Sequence, residues 1–227
     1  MENQNEPQNQ EDIIQTHYYF ASAVYQAYKP EFLDSLNKIC DEYLETTKKQ
    51  QGELNEIYPV YMTDNFATDA RIADFANYIL GAAWTALESQ GYAMNDFTTY
   101  FSEVWCQEHY KHSAMEQHVH GFGAQMVGFY FLDCPENPST VVFHDPKSAK
   151  IQLNLPETDM NQATIASNMI NYTPKPGLIL FTNAYVPHQF TRHADNKPMR
   201  FIHFNITALY NQQPINKENN QNNVEIV

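Results

Sequence analysis

Apolar residues fall into two helical stripes and then a series of short strand-like runs. Phe32, Leu33, Leu36, Ile39, Cys40, Tyr43 and Leu44 share one face at helical spacing and predict an amphipathic helix to about Lys48. Pro30 stands at its start, where a missing N–H is harmless. A second stripe, Ile72, Phe75, Ile79, Leu80, Ala83, Trp84 and Leu87, predicts a helix opened by Thr68 as N-cap and closed by Gly91. The segment 50–66 between them reads as loop, and the aromatic stretch Tyr18 to Tyr28 as an outer strand. From Phe97 the period shortens. Strands are predicted at Thr98–Tyr110, around His118, and at Phe129–Leu132, Thr140–Phe143, Gln152–Leu155, Leu178–Phe181, Gln189–Arg192 and Arg200–Thr207. Pro135, Pro138, Pro146, Pro156 and the Pro174–Gly177 turn break the runs apart.

Two helices ahead of many short strands predict an α+β, mainly β fold. The expected form is a double-stranded β-helix (a jelly-roll, cupin-like barrel) braced by the N-terminal helices. At 227 residues one domain is expected over 13–210, with helical support at about 30–91 and the barrel at about 97–210. The polar tails 1–12 and 211–227 read as disordered.

Composition narrows the function. Lys and Arg number 13 against 27 Asp and Glu, a net charge of -14, which argues against nucleic acid and anionic membranes as partners. No apolar run is long enough for a membrane span, and no signal peptide is visible. Cys40, Cys106 and Cys134 are scattered and odd in number, so a reduced, cytoplasmic setting is expected rather than a disulfide framework.

The chemistry centres on histidine. In Gln117-His118-Val119-His120-Gly121 the two imidazoles, one residue apart on an extended strand, point to one side and can reach one metal ion. A Pro-Gly turn into a strand, the lone His188, and Arg200 at the head of the last strand complete a plan for a metal site inside a β-barrel. Arg200 suits a carboxylate-bearing co-substrate, which needs a permanently charged bidentate partner deep in the barrel. The apolar residues after it suggest that its guanidinium enters the interior, and Arg192 competes for the role. Ile202 and Phe204 share its strand face and are expected to wall that pocket or fill the core. Gln107, Tyr110 and Gln125 are candidate pocket-lining residues. Gly-rich phosphate loops, nucleophile elbows and C-x-x-C pairs are absent from the sequence.

From about Trp105 to Asn205 the chain resembles the iron(II)- and 2-oxoglutarate-dependent dioxygenases of the prolyl-hydroxylase-like branch. It is similar in particular to uncharacterised oxygenase-like proteins of tailed phages. The resemblance is carried by His118-Val119-His120, Gly128 to Leu132, Phe143-His144-Asp145-Pro146, Pro176-Gly177 through Phe181, His188, and Arg200 through Asn205. It implies Fe(II) and 2-oxoglutarate as cofactors and O2 as co-substrate, with decarboxylation to succinate and hydroxylation of a substrate it does not identify. It implies a host-cell cytoplasmic location if the gene is a phage's. Residue by residue, His118 and His188 become iron ligands and Arg200 the partner of the far carboxylate. Phe131 stands where relatives place a tyrosine against the co-substrate. The family's His-x-Asp/Glu carboxylate is replaced by His120, so His118, His120 and His188 are the expected triad. Asp145 is the fallback carboxylate and Glu116 a candidate for orienting a ligand. Two alternatives stay open: a three-histidine cupin-type dioxygenase without 2-oxoglutarate, and a catalytically silent metal-binding interaction module.

Overall fold

The computed structural model describes residues 15–121 and 123–211. Ten strands run in chain order as β1 (Val24–Tyr28), β2 (Val60–Met62), β3 (Phe97–His109), β4 (Met115–His118) and β5 (Met126–Asp133), then β6 (Val141–His144), β7 (Met169–Tyr172), β8 (Leu178–Asn183), β9 (His188–Phe190) and β10 (Met199–Tyr210). Helices α1 (Leu33–Gln51) and α2 (Ala73–Ser89) precede the long strands. The strands form two antiparallel sheets, one of six in the order β1-β8-β5-β10-β3-β2 and one of four in the order β4-β9-β6-β7. This is the jelly-roll arrangement, built as two facing sheets and not as a closed barrel.

Alternation along β10 divides the core in two. Ile202, Phe204 and Ile206 pack toward the helices, with Leu36, Leu44, Phe75, Ile79 and Tyr130. Met199 and Phe201 face the small sheet, with Phe129, Phe131, Val141, Phe143 and Phe190. Gly128 on β5 lies under the Phe204 ring. A Cβ there would collide with the Phe204 ring and stand 2.7 Å from the Leu180 carbonyl oxygen, so only glycine fits. A bulge between Asn205 and Ile206 interrupts the β10–β3 register.

Both helices form where the stripes placed them, each preceded by a short 3-10 turn. Asp69, not Thr68, caps the turn leading into α2, accepting from the Arg71 N–H. The segment 50–66 is not all loop, since it contributes β2 beside β3. The strand expected at Gln152–Leu155 is replaced by a 3-10 helix over Ser148–Leu153. Its alternating Ile151, Leu153 and Leu155 are exposed, so the period-two signal there found no partner. The partner of β6 is instead β7. The expected disorder of 1–12 and of the tail beyond Asn211 lies outside the described residues. Among the described residues no helix is long and apolar enough to cross a membrane.

Candidate metal centre

His118 ends β4, His120 follows it, His188 opens β9, and His203 sits on the inner face of β10. One ring nitrogen from each of these four histidines lies within 4.8 Å of the others. Backbone pairing places all four. His118 is opposite His188 in the β4–β9 register. The His120 N–H donates to the Ala184 carbonyl at 2.9 Å, tying the segment after β4 to the turn between β8 and β9. His203 stands between Trp105 of β3 and Phe129 of β5.

Hydrogen bonds to backbone carbonyls select the tautomers. His118 Nδ1 lies 2.8 Å from the Glu116 carbonyl oxygen and His188 Nδ1 lies 3.0 Å from that of Val186. A carbonyl only accepts, so both rings donate from Nδ1 and turn an Nε2 lone pair inward. This is the arrangement that orients imidazole toward a metal. His188 Nε2 is buried without a partner, and so are both ring nitrogens of His203. His120 Nε2 stands 3.2 Å from His118 Nε2.

Burial keeps His120, His188 and His203 neutral. It holds His188 down at about 3, against an upward pull from the Val186 carbonyl, with charge on His118 and His120 lowering it further. It holds His120 at about 4, with His118 adding to the depression while Glu103 and Asn205 oppose it. His203 is held well below the ordinary histidine value, first by burial and then by the other three rings. Neutral imidazole is the form that binds metal. Trp105 stacks on His203 at 4.2 Å with the planes 13° apart, and Phe129 meets the same ring edge-on at 4.8 Å. These two side chains shield the ligand cluster.

The donor set therefore fits a transition-metal ion such as iron(II). It does not extend to a carboxylate. Asp145 pairs with Lys150 at 2.6 Å and also accepts from the Lys147 N–H, standing outside the cluster. Glu116 has an exposed side chain and serves through its backbone carbonyl.

The expected co-substrate pocket is where geometry departs furthest from the sequence. Arg200 does not enter the space between the sheets. It shares the helix-facing side of β10 with Ile202 and Phe204, where Nη2 and Nε bond Glu108 at 2.6 and 3.1 Å and Nη1 bonds Asp41 at 2.6 Å. Ile202 and Phe204 are accordingly core under the helices and wall no pocket. Tyr110 donates to the same Glu108 at 2.6 Å. The Gln125 side chain accepts from the Ala208 N–H and so braces β10. Arg192 is exposed.

Of the proposed cofactor contacts, Phe131 faces the interior, and it does so as core. Phe190 stacks on Phe201 at 4.7 Å with planes 6° apart, and Phe131 packs 5.7 Å from Phe201. Gln107 also faces inward, bonded at 2.8 Å to His109 Nε2. No lysine or arginine is buried among the described residues. Arg200, the expected partner of the far carboxylate, is thus engaged by Glu108 and Asp41 instead.

Sequence reasoning missed His203. The inside–outside phase of β10 was assigned from Arg200, which put the alternate set, Phe201, His203 and Asn205, on the wrong side. A histidine inside an apolar strand run, two residues from a phenylalanine on the same face, was the available signal.

Residues 103–205 match the family model described as putative 2OG-Fe(II) oxygenase. A search of curated protein sequences gave no match. Among solved structures, the fold is similar to a Pseudomonas putida prolyl-4-hydroxylase, with a TM-score of 0.55 and 10% identity over 82% of this chain and 92% of that one. It is similar to the viral collagen prolyl hydroxylase of Paramecium Bursaria Chlorella virus-1 in its 2OG complex, with a TM-score of 0.50 and 11% identity over 81% and 94% of the two chains. The epimerase SnoN in complex with Fe3+ and alpha ketoglutarate gives a TM-score of 0.52 and 12% identity over 84% and 82%. The matched family is one of dioxygenases whose cofactors are iron(II) and 2-oxoglutarate. Residues 103–205, which carry all four clustered histidines, match the 2OG-Fe(II) oxygenases, and the fold around them is the jelly-roll of their prolyl-4-hydroxylase-like members.

Proposed function

We propose that this chain is a non-haem iron(II) dioxygenase whose metal is held through His118, His120 and His188. The observation that carries the reading is the convergence of four imidazole nitrogens on one point, two of the rings oriented by backbone carbonyls. Bound iron(II) supplies the redox chemistry for activating O2. The reaction assigned is the family's, hydroxylation of a substrate C–H bond coupled to conversion of 2-oxoglutarate and O2 to succinate and CO2. The chain's own contribution is to fix three neutral ligands and, through Trp105, Phe129 and Phe143, to keep water from the inner side of the site. A three-imidazole set leaves the ion its full positive charge, which a bound dianion offsets.

A second reading, a histidine-ligated dioxygenase that turns over without 2-oxoglutarate, is favoured by one observation, the engagement of Arg200 by Glu108 and Asp41 on the helix-facing side of β10. Anaerobic loading with Fe(II), followed by O2 exposure with and without 2-oxoglutarate, separates the two. Succinate release in step with O2 consumption supports the first. O2 consumption on a substrate without 2-oxoglutarate supports the second. An iron-loaded protein that consumes O2 under neither condition, across a panel of substrates, leaves a metal-binding module.

A further inference from the structure

We propose that His203 is a fourth ligand to the same ion, so that the centre is held by four imidazoles and not by three. The inference rests on the metal-binding reading above and extends its ligand set. Four histidines are buried among the described residues: His109, His188, His193 and His203. The two that stand away from the cluster have both ring nitrogens satisfied. His109 is bonded to Ser113 Oγ at 3.2 Å and to Gln107 Oε1 at 2.8 Å. His193 is bonded to Ser139 Oγ at 3.3 Å and to the Lys197 carbonyl at 2.8 Å. His188 has one nitrogen bonded and one bare. His203 has neither bonded. A buried imidazole is normally hydrogen-bonded, so a wholly unpartnered one in a cluster of metal-type donors points to a ligand.

Placement supports the same conclusion. A ring atom of His203 stands within 4.8 Å of one on each of the other three, and its ring centroid is 5.0 Å from that of His120. Metal–nitrogen bonds of about 2.0–2.1 Å set neighbouring ligand nitrogens about 3–3.4 Å apart, so the rings complete the set by closing on the ion by up to about 1–2 Å. The Trp105 stack fixes the plane of the His203 ring without using either nitrogen. The consequence is one of coordination number. A facial triad leaves an octahedral ion three positions, enough for a chelating co-substrate and O2 together. Four protein nitrogens leave two, so a bidentate co-substrate and O2 fit together only if one imidazole leaves.

The test uses the full chain stripped of metal and titrated with Co(II), and with Zn(II) in competition. We expect one ion per chain, with a visible Co(II) ligand-field band set by the four imidazoles. His203→Phe preserves the stack on Trp105. It should weaken metal affinity beyond the 10–100-fold that an outer hydrogen-bonding partner typically costs and dim the band, with the far-UV spectrum unchanged. Should that variant fail to fold, X-ray absorption on the Zn(II)-loaded wild type counts the imidazoles directly, and four are expected. Three imidazoles, or unaltered affinity and band in folded His203→Phe, would overturn this inference while leaving the metal-binding reading intact. Wild type that binds neither ion would overturn both.

Discussion

The two faces of β10 treat buried polar groups in opposite ways. On the helix-facing side, Arg200 bonds Glu108 and Asp41, while Glu108 also takes Lys48 and Tyr110. On the side facing the small sheet, both nitrogens of His203, Nε2 of His188 and Oδ1 of Asn205 have no partner. The first pattern is a finished ion-pair network that ties α1 to the sheet. The second leaves the His203 and His188 nitrogens in one cluster with those of His118 and His120. Buried polar groups are nearly always satisfied in folded proteins, so the unfinished face is the one to read as a binding site.

The sharpest way to break that contrast is through the metal. His188→Ala should reduce Zn(II) or Fe(II) affinity beyond the 10–100-fold typical of losing an outer-shell partner, while Arg200→Leu should leave it unchanged. Calorimetric titration of both variants decides it, and equal losses would erase the distinction between the faces. Next in size is Phe201→Ala, which opens a cavity among Phe131, Phe190 and His109 and should destabilise the fold by about 3–5 kcal/mol in denaturant unfolding.

Arg200→Leu should lower stability by about 3 kcal/mol, because it strands the buried Glu108 carboxylate beside only Lys48 and Tyr110. Pairing it with Glu108→Leu should restore much of the loss. No recovery would mean that the network matters less than the packing of the arginine stem.

The smallest effect, per unit, is that of pH. His109 is held at about 3 by burial, with the charge of His193 adding to the depression. Below the ordinary value of about 6.5 the unfolded chain binds a proton that the folded chain refuses. Stability of the metal-free protein should therefore be flat above about pH 6.5 and fall by up to about 1.4 kcal/mol per pH unit for each such histidine below it, toward about pH 3. His109→Gln should flatten the slope seen in melting temperature against pH.

Much of the fold was legible because helix and strand periods differ. The stripes at Leu36–Leu44 and Phe75–Leu87 located both helices to within a few residues. His118, His120 and His188 were legible from spacing and order, and the structure brings all three together. What could not be read was which way a strand buried on both sides faces. Along β10, Arg200 to Ile206 is apolar enough on each face that alternation carries no inside–outside label. The label came from packing partners far away in sequence. Glu108 and Asp41 draw Arg200 toward the helices, and this turns His203 inward. Tyr110 and Gln125 were misread for the same reason, since their bonds go to Glu108 and to the β10 backbone.

The position of β10 also bears on how the protein comes to be folded. It lies between β3 and β5 in the large sheet, yet it is the last strand in the sequence. Met199 pairs with His109 and Tyr210 with Phe97, so the central ladder closes loops of roughly a hundred residues. Such non-local pairing slows folding, and on a ribosome the sheet stays split until this segment has emerged. Because His203 travels on that strand, the four histidines meet only once β10 is paired with β3 and β5. The nascent chain is thus kept from capturing an ion at the complete site before its sheet is whole.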